Sequence, residues 1–271
     1  QLDPPVGKAP RTSPTNIGLY ILACASAHLM DIIGREELLR RIAHTVETLE
    51  NMEKWHGHLY NWFDTGSLKP LKPKYVSSVD GGNLAACLMT TSQLLRPLDE
   101  ALSRRLDALA RNMDFSKLYD KSRNLFYIGF DAEHGSLSSG HYDLLASESR
   151  ILSFVAMALR QVPLKHWSKL GRGMARSGRS AALISWSGTM FEYLMPLLLL
   201  RAPHDSLLSS TERAVVSAQR SLGAPWGVSE SGYNAFDLMM NYQYRAFGLP
   251  SLSLRGTAFE RVIAPYASIL A

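Results

Sequence analysis

Two short runs of this chain crowd a carboxylate, a tryptophan and a tyrosine together: Ser185-Trp186-Ser187-Gly188-Thr189-Met190-Phe191-Glu192-Tyr193 and Pro225-Trp226-Gly227-Val228-Ser229-Glu230-Ser231-Gly232-Tyr233-Asn234. Four more islands have the same character: Tyr60-Asn61-Trp62-Phe63-Asp64-Thr65, Ser77-Ser78-Val79-Asp80-Gly81-Gly82-Asn83, the stretch from Tyr142 and Asp143 through Glu148 to Arg150, and Asn241-Tyr242-Gln243-Tyr244-Arg245. A buried core does not need Trp, Glu, Tyr and Asn side by side, and a solvated loop does not need Trp. A carbohydrate site needs all of them. Aromatic faces stack on sugar rings, amides and carboxylates hold hydroxyls, and two carboxyls can cleave a glycosidic bond.

That cleavage requires one carboxyl to protonate the leaving oxygen and a second to attack the anomeric carbon or activate water. The candidates within islands are Asp64, Asp80, Asp143, Glu148, Glu192, Glu230 and Asp237. Trp62, Trp186, Trp226, Tyr142, Tyr233, Tyr242 and Tyr244 are the candidate stacking faces, of which two or three are expected in a groove and the rest in the core. Each acid also has a purely structural explanation. Glu148 could pair with Arg150 and only cap a helix. Glu192, at a helix start, could be satisfied by backbone N–H groups. Asp80 with Asn83 reads as a helix cap as readily as a sugar clamp.

The elements that must position these groups read as mostly helical. The first fourteen residues hold four prolines and no periodicity, which predicts an extended lead-in. Ser13-Pro14-Thr15-Asn16 signals a helix start, with helical spacing through Ile33. Leu38, Ile42, Val46 and Leu49 then mark an amphipathic helix to Met52. A long connection, residues 56–80, precedes helical pattern over 82–95 and 98–113. Asn124 to Phe130 is strand-like, with Gly135 as a turn. Further helices are predicted over 142–160, 163–171, 190–200, 209–222, 234–241 and 259–270. Helix pairs joined by long loops, with polar-aromatic islands at helix ends, predict an all-α chain folded as an α/α toroid.

Composition excludes several other classes. Nearly half of the 271 residues are hydrophobic, enough for a sizeable core, and the net charge of +5 comes from scattered Arg and Lys. The stretch from Lys165 to Arg179 lacks the basic density and interleaved aromatics that tracking a nucleic-acid backbone requires. Cys24 and Cys87 lie in apolar helical text and read as core residues rather than a disulfide. The longest apolar run, Leu194 to Leu200, is too short to span a bilayer, and no signal peptide is visible. Neither a phosphate loop nor a nucleophile elbow is present. The close pair His56 and His58 lacks an acidic partner at fixed spacing, so no metal and no cofactor are expected.

The islands, in this order, resemble the glycoamylase-like domain in the middle of bacterial cyclic β-1,2-glucan synthases. The matching text runs from Ser13-Pro14-Thr15-Asn16-Ile17-Gly18-Leu19-Tyr20 through Gly57 to Thr65, Tyr75 to Asp80, Tyr142 to Glu148, the two opening runs, and Asn241 to Gly248. The resemblance implies an (α/α)6 toroid shared with endo-β-1,2-glucanases, occupying residues 15–271 behind the lead-in. It also implies a catalytic unit that starts upstream of Gln1, so that the ring is incomplete here. Three positions depart from the pattern: His141 in place of an aromatic such as Tyr, Gly82 where Ser is common, and Gly232 in place of Ala.

By that resemblance the domain cuts linear β-1,2-glucan and closes it into a ring by retaining transglycosylation. Glu148 is the expected acid/base and Glu230 the nucleophile, with Glu192 as the competitor for either role. The expected substrate contacts are Trp62, Asp64, Asp80, Asn83, Tyr142, Asp143, Trp186, Glu192, Trp226, Tyr233, Tyr242, Gln243, Tyr244 and Arg245. An inverting endo-β-1,2-glucanase and a non-catalytic glucan-binding fragment remain alternatives. The implied partners are β-1,2-glucan and the other domains of a larger membrane synthase, with no nucleic acid. The implied location is the cytoplasmic face of the inner membrane, the segment itself being soluble.

Overall fold

The computed structural model describes residues 2–3, 7–177, 180–238, 242–256 and 259–271, those before Ala9 as backbone alone. Asn241 of the last island, Arg179 of the basic stretch and part of the lead-in lie outside the described residues. The chain divides into two compact units. One comprises Pro10–Tyr142 and Ile151–Lys169; the other comprises Gln1–Ala9, Asp143–Arg150 and Leu170–Ala271.

In the first unit, helix α1 (Pro14–Leu29) starts where Ser13 Oγ accepts from Asn16 N at 3.2 Å, with proline in the first turn. Helix α2 (Arg35–Asn51) buries Leu38, Ile42, Val46 and Leu49, the predicted stripe. Helix α3 (Ser78–Leu95) starts four residues earlier than its apolar pattern suggested, because Ser77 Oγ caps it by accepting from Asp80 N. Helix α4 (Glu100–Arg111) is capped by Asp99 and joined to α3 by the Ser92 and Ser103 hydroxyls, each donating to the other's carbonyl. Cys24 and Cys87 are buried free thiols.

Strands in this unit are short. Tyr75–Ser77, Gly129–Asp131 and Ser136–Leu137 form one antiparallel sheet, and Tyr119–Asp120, Leu125–Tyr127 and His141–Tyr142 form another. His141 puts Nε2 3.0 Å from Asp120 Oδ2 and lays its ring over Tyr127 at 4.5 Å, so it fills an aromatic's place while adding a polar tie. His58 is fully buried edge-on to Phe115, and burial holds its pKa down to about 4. Such a ring is neutral core material.

Gly82 has a packing reason. A Cβ there would stand 2.5 Å from Leu152 Cα, in the helix α5 (Arg150–Ala158). Gly232 has no such neighbour, the nearest atom being 3.9 Å away. Gly82→Ala should therefore cost about 2 kcal/mol or more, and Gly232→Ala should stay within about 0.5 kcal/mol. Thermal melts of the two variants check this, and equal melting temperatures would remove the packing argument.

The second unit is less helical than its sequence suggested. Helix α6 (Lys165–Lys169) ends the first unit, and helix α7 (Met190–Leu194) passes at once into a 3₁₀ turn, Met195–Leu198, around Pro196. Helix α8 (Leu207–Arg220) uses Gln219 as a peptide mimic, donating to Val228 O at 2.9 Å and accepting from Val228 N at 2.8 Å. Helix α9 is only Pro265–Ile269. Of the helix expected over 234–241, residues 239–241 lie outside the described residues, and residues 234–236 instead end a strand, Ser231–Phe236, paired antiparallel with Tyr242–Arg245. Residues 142–149 likewise precede α5 as extended and turn structure rather than helix. The chain is thus helical with several small sheets. Among the described residues, no helix is long and apolar enough to cross a membrane.

Candidate functional site

Glu192 resolves first, because its surroundings leave it no freedom. Thr189 caps α7 and Glu192 closes the reciprocal capping box. Its carboxylate accepts from Ser185 Oγ at 2.8 Å, Ser187 N at 3.1 Å, Thr189 N at 3.1 Å and Thr189 Oγ1 at 3.3 Å. It is buried, with only 6 % of its surface exposed. Both oxygens are committed to folding the turn that carries Trp186.

Glu148 has the opposite environment. Ser147 Oγ donates to its carboxyl, at a long 3.3 Å. Burial pushes its carboxyl up to about 7, helped by the charges of Glu230 and Glu192. Arg150 does not neutralise it by contact. That guanidinium, itself buried, donates to Glu212 Oε1 at 3.0 Å and to the carbonyls of Tyr193 and Glu192 at 2.6 and 3.3 Å. The helix-cap explanation thus fits Glu192 and fails for Glu148.

Glu230 precedes the Ser231–Phe236 strand. Tyr244, from the paired strand, donates its hydroxyl to Glu230 Oε2. Tyr266 donates to the Glu230 carbonyl at 2.7 Å and lies 2.9 Å from Ser229 Oγ, which accepts from Phe191 N at 3.0 Å. Burial raises the Glu230 pKa, Glu192 adds to the rise, and the hydroxyls of Tyr244 and Thr189 oppose it. Within one unit, Glu148 therefore senses the charges of Glu230 and Glu192, Glu230 senses that of Glu192, and each of the three has a different complement of donors. Such an arrangement drives the protonation states of carboxyls apart.

The remaining candidates divide between the units. In the second unit, Trp186 lies under Arg255, 5.7 Å from ring centroid to guanidinium carbon. The Trp226 carbonyl accepts from Ser268 Oγ at 2.7 Å, and Tyr233 packs edge-on to Phe247 while donating to Gln243 Oε1. Tyr242 packs at a tilt against Phe236, and Arg245 pairs with Glu260. The Asp143 carbonyl accepts from Gly171 N, and Asp237 is exposed just past its strand.

In the first unit, Asp80 accepts from Thr15 Oγ1 at 2.6 Å and from Asn61 Nδ2 at 3.4 Å, while Asn83 Nδ2 donates to Thr15. The Oδ1 atoms of Asn61 and Asn83 are buried with no donor among the described residues. Asp64 organises its own turn, accepting from Gly66 N, Ser67 N and Ser67 Oγ, which lowers its pKa. Trp62 lies under Arg11, and Tyr142 pairs with Phe126. Sequence reasoning missed Thr15, Glu212 and Tyr266. Thr15 is masked by its helix-start motif, and the other two partner residues 36 to 62 positions away.

No family model matches the chain. It is 33% identical over 396 residues to the cyclic β-(1,2)-glucan synthase NdvB of Rhizobium meliloti (strain 1021), a match that takes in 97% of this chain and 14% of that protein. The chain thus spans about a seventh of the length of its relative. The match is longer than the 271 residues present here, so the relative carries internal stretches that this chain lacks. Among solved structures, an endo-β-1,2-glucanase of Talaromyces funiculosus, in complex with β-1,2-glucan, aligns with TM-score 0.77 at 12% identity, over 96% of this chain and 64% of that one. An endo-β-1,2-glucanase of Chitinophaga pinensis aligns with TM-score 0.71 at 17% identity, over 90% and 66%. A β-1,2-glucanase of Parabacteroides distasonis aligns with TM-score 0.72 at 16% identity, over 93% and 42%. The resemblance read from the islands holds: the chain is similar to a segment of a cyclic β-1,2-glucan synthase and shares the fold of these glucanases.

Proposed function

We propose that this chain processes linear β-1,2-glucan by retaining transglycosylation, with Glu148 as acid/base and Glu230 as nucleophile. The observation that carries the reading is the unequal treatment of the clustered carboxyls. Glu148, few in donors and pushed up to about 7, still carries its proton in about half of the molecules at neutrality and is fit to donate to a leaving oxygen. Glu230, supplied with a phenolic donor, is fit to remain an anion and attack the anomeric carbon. Glu192 is a positioning group in this scheme, since its oxygens are occupied by the 185–189 turn.

The buried acceptors of Asn61 and Asn83 beside Asp80 suit sugar hydroxyls as donors. Residues 15–271 would act as one glycoamylase-like domain, with a toroid interrupted where the relative's internal stretches are absent. It would work on the cytoplasmic face of the inner membrane, alongside the other parts of a larger synthase.

The test is incubation with linear β-1,2-glucan, following product size and, by NMR, the first anomer released. Cyclic or lengthened products with the β-anomer formed first are expected, whereas an α-anomer formed first would indicate an inverting glucanase. The missing internal stretches favour a second reading, a module that only holds glucan. Unchanged substrate together with measurable glucan binding would establish that one.

A further inference from the structure

We propose that the phenol of Tyr244 decides which clustered carboxyl carries the proton: by donating to Glu230 it holds that group as the anion and leaves Glu148 protonated. This deepens the catalytic reading above and rests on it. The geometry is particular to one tyrosine. In the hairpin, Gly232 stands opposite Tyr244 and Ser231 opposite Arg245, so Tyr244 projects from the strand beside the one Glu230 leads into. Tyr233, on the first strand, donates to Gln243 instead, and Tyr242 packs at a tilt against Phe236. Tyr266 grips the Glu230 main chain rather than its carboxylate.

The groups that bear on the Glu230 carboxylate are Glu148, Glu192, Tyr244, Tyr266 and the Thr189 hydroxyl. Two arginines of the same islands are committed elsewhere, Arg150 to Glu212 and Arg245 to Glu260. With Glu192 already saturated, the excess negative charge falls on Glu148 and Glu230. A donor placed on one of two coupled carboxyls favours ionisation there and raises the pKa of the other. Tyr244 supplies that asymmetry, and as a residue that is 65 % exposed it remains accessible to a sugar. It is a positioning residue for the proton, acting through Glu230.

The experiment uses the full chain labelled with [δ-¹³C]glutamate, the Glu230 resonance being assigned by its loss in Glu230→Gln. In Tyr244→Phe, the Glu230 titration midpoint should rise by about one pH unit and that of Glu148 should fall. On linear β-1,2-glucan, the acid limb of the pH–rate profile should move up and the basic limb down, with kcat falling more than KM changes. Incorporating 3-fluorotyrosine at position 244, a stronger donor, should move the Glu230 midpoint the opposite way and carries the test if the Phe variant fails to fold. Midpoints unmoved within about 0.3 pH unit would overturn the proposal. Midpoints that follow position 244 in a chain inert toward glucan would sink the catalytic reading and leave Tyr244's control of the proton standing.

Discussion

Glu230→Gln should abolish cutting and ring closure together, lowering turnover of linear β-1,2-glucan at least about a thousandfold. The amide has nearly the shape of the carboxylate but cannot form the glycosyl ester. Glu148→Gln should also stop the natural substrate, for a different reason. It removes the proton that a sugar leaving group needs, yet leaves attack by Glu230 intact. A glycoside with a good leaving group should therefore still form the intermediate, and added azide should restore turnover by attacking without a general base. The two variants separate the roles cleanly because one is rescued and the other is not.

The pH dependence gives a second handle on the same pair. The Glu148 pKa, raised to about 7, predicts a basic limb of activity near neutrality, since the acid is lost as pH rises through that value. In Glu148→Gln, with an activated glycoside, that limb should vanish. Substantial cyclisation by Glu230→Gln, in a chain whose wild type is active, would show that another group is the nucleophile.

Much of this arrangement was legible in the sequence, and the parts that were not have physical reasons. Leu38, Ile42, Val46 and Leu49 announced α2 because a helix packed on one face writes its burial into local spacing. The Thr189-Met190-Phe191-Glu192 text held a capping box, which made the structural explanation of Glu192 available beforehand. Residues 234–236 of the strand Ser231–Phe236 read as the start of a helix because the strand's regular alternation of half-buried and exposed positions is not matched by alternating apolar and polar residue types. Its pairing with Tyr242–Arg245 is a non-local choice that local pattern does not encode. The same pairing places Tyr244 on Glu230, so the error in secondary structure concealed the contact. The Arg150–Glu212 tie was invisible for a related reason: 62 residues separate two charges that each read as an ordinary helix surface.

Arg150→Met should destabilise the protein by about 3–5 kcal/mol, because it strands a buried Glu212 carboxylate. At this chain size that corresponds to a melting temperature lower by roughly 10 °C. The guanidinium is buried deeply enough to pull its pKa down to about 10, and burial also raises Glu212. Neither group is comfortable alone. Arg150→Lys should be nearly as harmful, since an ammonium cannot reproduce the planar fork that reaches Glu212, Glu192 O and Tyr193 O together. Removing both charges in Arg150→Met/Glu212→Met should recover part of the loss, leaving the two carbonyls unsatisfied and the fold still about 1–3 kcal/mol below wild type. Activity should not recover with it. Arg150 lies two residues from Glu148 and fastens that segment to the main chain of Glu192 and Tyr193 in α7, the helix that carries the Glu192 charge Glu148 senses. Even a small displacement of an acid catalyst costs on the order of a hundredfold in rate. A double variant that is both restored in melting temperature and fully active would mean that Arg150 serves stability alone. One restored in stability but slow would tie the buried ion pair to the placement of Glu148.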